Sequence, residues 1–301
     1  MDRIRFGVHI PSTSDISFRT LSSYAERCEA AGFDSVWVAD HILESRGQGL
    51  YEPLTLLAAL SGSTSRIRLG TAVLIASLRN PVILADTIGT LQEICHNRFV
   101  LGVGVGWDKN EFQNLGVDYT RRGETTDEEL EVVTKLLKKE RLTHRGKHFR
   151  VTGASIASRP RKIPPVWIGG NSLAAVKRAS RYDAWFPTDP TTEEIEKGGR
   201  LLVGMSKGGP PLIAAHIYLI VKESSTEAYK SAEFLSEMTG EPLSKVREWA
   251  IIGDLNEAER RTNDYVSAGV RYFVFSLPNT DKYLRTINYA ARLVERLENL
   301  V

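Results

Sequence analysis

An aspartate followed directly by a histidine, Asp40 and His41, ends the second β-branched run of the chain, SVWV at 35–38. A carboxylate beside an imidazole can orient that imidazole for proton transfer, and the same ring can instead hydrogen-bond to a cofactor ring. The alternative is a capped strand end whose histidine faces solvent. Asp40 and His41 are therefore the first candidate catalytic residues.

Three alternating glycines, Gly102, Gly104 and Gly106, end another run, and Trp107 follows them. The spacing is not a dinucleotide-binding fingerprint, because Trp107 and Lys109 occupy the places where a third glycine is required. Glycines at a strand end still allow a flat ring to approach the backbone closely. Trp107 either packs against such a ring or caps the core.

A third corner consists of Gly169, Gly170, Asn171 and Ser172, and a predicted helix begins directly after it at Leu173. Backbone N–H groups at the start of a helix, left uncovered by glycines, form a cradle for a phosphate. The alternative is an ordinary turn in which Asn171 or Ser172 caps the helix.

Other catalytic chemistries lack their motifs. His144 and His148 have helical spacing but flank Gly146 in a predicted hairpin, and no cluster of carboxylates and histidines predicts a metal site. The chain has no Gly-x-Ser-x-Gly elbow and no phosphate loop that ends in Gly-Lys-Ser/Thr. Cys28 and Cys95 fall on the apolar faces of predicted helices, which predicts buried thiols. Hydrolase and nucleoside-triphosphatase functions are therefore disfavoured, and we predict no bound metal.

The elements that position these residues repeat one unit about eight times. Each unit is a short β-branched run that ends in a polar or glycine-rich corner, followed by an amphipathic helix. The clearest runs are 4–11 (IRFGVHIP), 35–41 (SVWVADH), 67–76 (IRLGTAVLIA) and 99–107 (FVLGVGVGW). Strands that alternate with helices pair in parallel, and eight such units close into an α/β fold, the (β/α)8 TIM barrel. Chemistry then lies at the carboxyl ends of the strands.

Length and composition fit one soluble enzyme-sized domain. The 301 residues contain no Pro/Gly/Ser-rich linker, so we expect a single barrel domain over 1–301. A net charge of +2, with no basic run among aromatics, disfavours nucleic acid as a partner. The start, MDRIRFGVHIP, leads directly into a strand, and no apolar stretch approaches membrane-spanning length. We expect a cytoplasmic protein with no membrane partner.

Two stretches depart from the regular repeat. Residues 141–164 predict a hairpin followed by an extended, proline-terminated crossing, an insertion of the kind that shapes the mouth of a barrel. Residues 191–209 are polar and glycine-rich near their end, which favours a partly mobile segment. A final amphipathic helix over about 279–297 is predicted to close the barrel.

Taken in order, six segments resemble the bacterial luciferase-like superfamily, and the likeness spans nearly the whole chain. They are 36–41 (VWVADH), 69–75 (LGTAVLI), 79–81 (RNP), 98–107 (RFVLGVGVGW), 165–172 (PVWIGGNS) and 269–275 (GVRYFVF). Members of that superfamily are β/α barrels that bind a flavin, or the deazaflavin coenzyme F420, at the strand ends. The Asp-His pair and the crossing at 153–172 are similar to the F420-dependent oxidoreductase branch.

The resemblance assigns roles to individual residues. It places Asp40 and His41 beside the reactive ring, with His41 as acid or base. It implies a bulge at Thr71, Ala72 and Val73 behind the ring, with a cis peptide bond between Ala72 and Val73. The remaining cofactor-binding residues implied are Gly104, Gly106 and Trp107 around the ring, and Gly169, Gly170, Asn171 and Ser172 at the phosphate.

One departure from the family pattern bears on the substrate. Where the sugar-phosphate dehydrogenases of this family carry a catalytic glutamate directly after the glycines, this chain has Trp107. We interpret the chain as an F420-dependent oxidoreductase that transfers a hydride between the deazaflavin and a small organic substrate. The alternatives are an FMN-dependent monooxygenase, which uses reduced flavin and oxygen, and a flavin-binding protein without turnover. Family likeness implies a homodimer.

Overall fold

The computed structural model describes residues 3–44, 49–206, 208–278 and 283–298. Twelve β-strands occur in this part of the chain. They are β1 Arg5–His9, β2 Ser35–Val38, β3 Arg68–Thr71, β4 Leu74–Ile75, β5 Phe99–Gly104, β6 Leu142–Arg145, β7 Arg150–Ala154, β8 Val166–Gly169, β9 Ala184–Phe186, β10 Leu212–Val221, β11 Ile251–Gly253 and β12 Tyr272–Ser276.

Eight of these strands form a closed parallel barrel in the order β1, β2, β3, β5, β8, β9, β10, β12 and back to β1. The predicted (β/α)8 TIM barrel is confirmed. Because all eight strands run the same way, their carboxyl ends meet at one mouth. That mouth collects the three corners that the sequence singled out.

Helices occupy the returns between strands. They are α1 Phe18–Ala30, α2 Pro53–Ser61, α3 Pro81–Ile94, α4 Lys109–Asn114, α5 Arg122–Lys138, α6 Leu173–Ala179, α7 Thr192–Met205, α8 Ser225–Ser231, α9 Glu233–Thr239, α10 Leu243–Trp249, α11 Leu255–Ala268 and α12 Tyr283–Glu298. Asn80 caps α3 through its side chain, and Pro81 occupies the first turn. Helix α12 carries the predicted apolar stripe, while the expected start at 279–282 lies outside the described residues.

Most of the stretch at 191–209, expected to be partly mobile, forms a regular helix, because α7 covers 192–205. A capping box starts this helix: the Thr191 side chain accepts from the Glu194 backbone, and the Glu194 side chain accepts from the Thr191 backbone. Ile195 and Leu202 are buried. A Cβ at Gly198 would lie 2.2 Å from the Trp185 ring, so this glycine permits close packing and does not signal disorder.

The predicted insertion is present. Strands β6 and β7 form an antiparallel pair apart from the barrel, and an extended crossing leads from them to β8. Glu128 of α5 ties the hairpin down by accepting from the backbone N–H groups of 147–149. Its carboxylate also lies 3.1 Å from Nε2 of His144. His144 is therefore engaged in structure at the hairpin.

Three apolar clusters organise the interior. One lies between the strands and the surrounding helices, and it contains Cys28 and Cys95, both buried free thiols as predicted. A second fills the barrel itself with Trp37, Val100, Trp167, Ala184, Phe186, Ala214, Tyr272 and Val274. A third, which we call the outlying cluster, comprises Ile220, Ala228, Ala232, Leu235, Val246, Ala250 and Ile252.

The outlying cluster belongs to an addition outside the barrel that the sequence did not predict. Strand β11 pairs with the carboxyl half of β10, and α8, α9 and α10 pack against this edge. Among the described residues, no helix combines the length and apolar character that a membrane crossing requires.

Candidate functional site

His41 lies at the barrel mouth, where its orientation is fixed by a partner that the sequence did not predict. Its Nδ1 is 2.9 Å from Oε2 of Glu111, whose side chain is fully buried. A carboxylate only accepts hydrogen bonds, so Nδ1–H of His41 donates. The imidazole therefore presents Nε2 as its second hydrogen-bonding atom.

Glu111 is itself held by backbone groups of the β2 loop. Its Oε1 accepts from the N–H groups of Ile42, at 2.7 Å, and Leu43, at 3.2 Å. The helix that carries it, α4, is capped by Asp108 and anchored by the buried Phe112. One carboxylate thus fixes both the path of the chain after His41 and the ring of His41.

The expected pairing of Asp40 with the His41 imidazole is wrong, because the Asp40 carboxylate faces the neighbouring loop after β3. Its two oxygens accept from the Arg79 guanidinium at 2.7 and 3.0 Å, a bidentate arrangement. Its Oδ2 also accepts from the Ile75 backbone at 2.8 Å. The Asp40 side chain is fully buried, so it braces the loop after β3.

That loop begins with the predicted bulge. The peptide bond between Ala72 and Val73 is cis, as the resemblance implied, and it separates β3 from β4. Thr71 anchors the bulge to β5, because its hydroxyl donates to the Gly102 carbonyl at 2.7 Å and accepts from the Gly102 N–H at 3.0 Å. The Ala72 N–H donates to the Val38 carbonyl.

The strand-end glycines make room for the bulge. A Cβ at Gly104 would lie 2.4 Å from Cγ2 of Val73, and a Cβ at Gly169 would lie 2.7 Å from Cγ1 of the same residue. The Val73 side chain therefore occupies the space that a side chain at Gly104 or Gly169 would need. That Gly104 also flanks a bound ring stays a prediction. Gly106 adopts a left-handed conformation, with φ of 74°, and turns the chain toward α4.

Trp107 lies beside His41 at the mouth and does not cap the core. It is 54% exposed, and its ring meets the His41 ring edge-on with centroids 5.4 Å apart. Its backbone carbonyl accepts from the Tyr119 hydroxyl at 3.2 Å. Two aromatic rings, His41 and Trp107, therefore form one wall of the mouth.

The corner after β8 is an N-capped helix start, the alternative that the sequence left open. The Ser172 hydroxyl accepts from the Ala175 N–H and caps α6. The Asn171 amide bridges to the next strand end, because it donates to the Thr188 carbonyl and accepts from the Thr188 N–H. Gly170 is left-handed, with φ of 108°. Because the side chains of Asn171 and Ser172 are hydrogen-bonded within the protein, an anion at this corner would be bound by backbone N–H groups.

Two further histidines, His9 and His216, were not predicted from the sequence. His9 ends β1 and His216 lies in β10, and burial lowers the pKa of His9 to about 4 and that of His216 to about 3, with His9 itself contributing to the latter. Both Nε2 atoms are buried without a hydrogen-bond partner in the part of the chain that the structure describes. Within the same residues, no group of three His, Cys, Asp or Glu side chains is arranged to hold a metal.

These residues fit a bound planar heteroaromatic group. The mouth offers the exposed Trp107 ring, the partly exposed His41 ring and the backbone ridge at Ala72 and Val73. The Nε2 atoms of His9 and His216, which have no hydrogen-bond partner among the described residues, can bind polar atoms of such a group or of its reaction partner.

Comparison with known proteins agrees with this architecture. The profile of luciferase-like monooxygenases matches residues 3–264. An F420-dependent glucose-6-phosphate dehydrogenase of Amycolatopsis mediterranei (strain U-32) is 24% identical, over 94% of this chain and 95% of its own.

Solved structures share the fold over almost their full length. An F420-dependent secondary alcohol dehydrogenase, in complex with an F420-acetone adduct, superposes with a TM-score of 0.84 at 20% identity, covering 98% of this chain and 99% of its own. The monooxygenase RslO1 from Streptomyces bottropensis superposes with a TM-score of 0.83 at 21% identity, covering 97% and 99%. Since the profile spans most of the sequence, the chain belongs to the luciferase-like monooxygenase family.

Proposed function

We propose that this protein is an F420-dependent oxidoreductase that transfers a hydride between the deazaflavin and a small organic substrate. The single observation that carries the proposal is the His41 ring, held by the buried Glu111 carboxylate at the mouth of the barrel. Full-length similarity to F420-dependent dehydrogenases favours the deazaflavin as the cofactor.

In this proposal the loop ridge and the three corners hold the cofactor. Thr71, Ala72 and Val73 would support the ring, with Gly104, Gly106 and Trp107 beside it. Gly169, Gly170, Asn171 and Ser172 would hold the phosphate. Asp40 acts as a positioning residue, because its bonds to Arg79 and Ile75 hold the ridge in place. When bound, coenzyme F420 supplies the hydride chemistry.

His41 is the proposed acid or base. Because Nδ1–H is engaged with Glu111, the free position of the neutral ring is an Nε2 lone pair, which accepts a proton from a substrate hydroxyl. In the opposite direction, the doubly protonated ring returns that proton to a carbonyl oxygen. The edge-on Trp107 ring packs beside the His41 ring.

The test of this function is a parallel titration of the purified protein with F420 and with FMN, followed by fluorescence quenching. We expect F420 to bind at least about tenfold more tightly, a difference of about 1.4 kcal/mol. Tighter binding of FMN would replace this proposal with the monooxygenase, and binding without turnover of any substrate would favour a flavin-binding protein.

The same proposal includes the domain organisation, the oligomeric state and the localisation of the enzyme. We infer that residues 1–301 form one domain, that the protein is a cytoplasmic homodimer, and that it has neither a nucleic-acid nor a membrane partner. The two buried, unpaired thiols support a reducing compartment. Exposed apolar side chains on α3, Ile83 and Ile94, support an interface on that helix. Light scattering of the purified protein tests the dimer.

A further inference from the structure

Two histidines face each other inside the barrel at its mouth, apart from the His41–Glu111 pair. The ring centroids of His9 and His216 are 5.1 Å apart and the rings are nearly perpendicular. Strand β12 lies between their two strands and places His216 level with Val274, a residue of the barrel interior. Both imidazoles therefore point inward, at the end of the barrel where this fold does its chemistry.

Hydrogen bonding in these two rings is incomplete. The Nε2 atoms of His9 and His216 have no partner among the described residues, although both atoms are buried. An unpaired buried polar atom destabilises a fold, so two such atoms side by side indicate a place for a ligand. Rotation of an imidazole about its broad χ2 torsion can turn either nitrogen toward the opening of the barrel.

Both rings are uncharged at neutral pH, since burial lowers the pKa of His9 to about 4 and that of His216 to about 3. A neutral imidazole has one donor and one acceptor nitrogen. Two such rings can bracket one hydroxyl oxygen, one ring accepting from its hydrogen and the other donating to its lone pair, and a carbonyl oxygen can accept from either ring. The same pair offers no net positive charge to a carboxylate or a phosphate.

The surroundings also favour an uncharged ligand. Phe186 approaches His216 edge-on with ring centroids 6.3 Å apart, and the interior below is apolar. Two arginines that follow β4 and β5 are committed to other partners. Arg79 binds Asp40, and Arg122 donates to the carbonyls of Gly106 and Tyr119.

We propose that His9 and His216 bind an uncharged hydroxyl or carbonyl group of the substrate, distinct from the group that exchanges a proton with His41, and so select neutral alcohols and carbonyl compounds over phosphorylated or carboxylated ones. This inference rests on the proposed function for the location of the substrate and adds the substrate class. It also separates this chain from the sugar-phosphate dehydrogenases to which it is similar.

The test measures ligand binding at the two rings directly. Protein labelled with ¹⁵N-histidine is titrated with cyclohexanol, cyclohexanone and cyclohexanecarboxylate, which share one ring and differ in charge. Long-range ¹H–¹⁵N spectra follow the ring nitrogens, with signals assigned by loss in His9→Phe and His216→Phe. We expect both neutral probes to shift the His9 and His216 signals and the carboxylate to leave them unchanged.

Variants separate polarity from packing. His9→Phe and His216→Phe keep a ring of similar size, and each should weaken cyclohexanol binding at least about tenfold. His96→Asn, at an exposed left-handed position, is the control and should bind as the parent does. Absence of a shift, preference for the carboxylate or unchanged affinity in both phenylalanine variants would overturn the inference.

This experiment is independent of the cofactor. If F420 fails to bind but the histidine signals respond to cyclohexanol, the proposed function fails and the neutral subsite remains. If F420 binds and the histidine signals do not respond, only the assignment of His9 and His216 fails.

Discussion

Glu111→Gln is the substitution that most directly questions the role of His41. The Glu111 carboxylate accepts from two backbone N–H groups through Oε1 and from the His41 ring through Oε2. A glutamine keeps one acceptor oxygen, which can still serve Ile42 and Leu43. Its amide N–H2 then faces Nδ1, which must become an acceptor, so the ring hydrogen moves to Nε2.

The size of the effect follows from these three bonds. Because the backbone bonds can survive, the loss of one charge-assisted bond should lower the free energy of unfolding by only about 1–2 kcal/mol. Turnover should fall much further, because His41 in the wrong tautomer cannot accept a proton at Nε2. General acid or base catalysis contributes roughly 10²- to 10⁴-fold, so we expect a loss of about a hundredfold or more. His41→Ala should show a loss of the same order while F420 affinity changes only modestly.

The assay combines the ring spectrum with turnover. Long-range ¹H–¹⁵N correlations report which nitrogen of His41 carries the hydrogen, before any substrate is known. Glu128→Gln is the matched control, since Glu128 also contacts a histidine, His144, but in the hairpin. It should leave the His41 spectrum and turnover unchanged. An unaltered His41 tautomer in Glu111→Gln, or full turnover with an altered one, would refute the assigned role.

Three further predictions concern the support of the site. Asp40→Asn, which breaks the buried bidentate pair with Arg79, should cost about 2–4 kcal/mol in urea unfolding, and an unchanged midpoint would contradict its bracing role. Gly104→Ala places a Cβ against Val73 and should cost about 1–3 kcal/mol, whereas Gly204→Ala, in open space on α7, should cost nothing. Burial raises the pKa of Glu129 to about 9, against an ordinary 4.5. Between these values the folded chain retains a proton that the unfolded chain releases, so the free energy of unfolding falls as pH rises above about 4.5. Glu129→Gln should therefore be more stable than the parent by about 1–3 kcal/mol at pH 7 and equally stable at pH 4, whereas a destabilised variant at pH 7 would indicate an ionised, partnered Glu129.

The sequence was most informative where a β-branched run is followed directly by polar or glycine residues. Alternation of runs and helices predicted the barrel, and the ends of those runs carried Asp40, His41 and Gly104 to one mouth. Side-chain contacts across the mouth could not be predicted, because they join loops that are far apart in sequence. Glu111 lies three residues after Asp108, which caps α4, and this spacing is typical of a residue in the first turn of a helix. Its carboxylate instead contacts the loop after β2.

Close packing between elements was also not predictable from the sequence, as the glycines and α7 show. From the sequence, Gly104 is expected to let a flat ring approach the backbone, and only the fold shows that it also lets the Val73 side chain approach. The capping pattern from Thr191 to Glu194 predicts a helix start, but the glycines that follow suggested mobility. Gly198 packs on Trp185, a contact between elements that no local pattern encodes.

The outlying cluster has a consequence for how unfolding of this protein is observed. Its seven small and aliphatic side chains form a core of their own, joined to the barrel through the carboxyl half of β10. A unit with a separate core can open without the rest, so amide exchange in α8, α9 and α10 should run ahead of exchange in the barrel strands. Trp249 packs on this cluster, whereas Trp37 and Trp167 lie inside the barrel. Total tryptophan fluorescence therefore sums two regions, and a single midpoint fitted to it would describe neither.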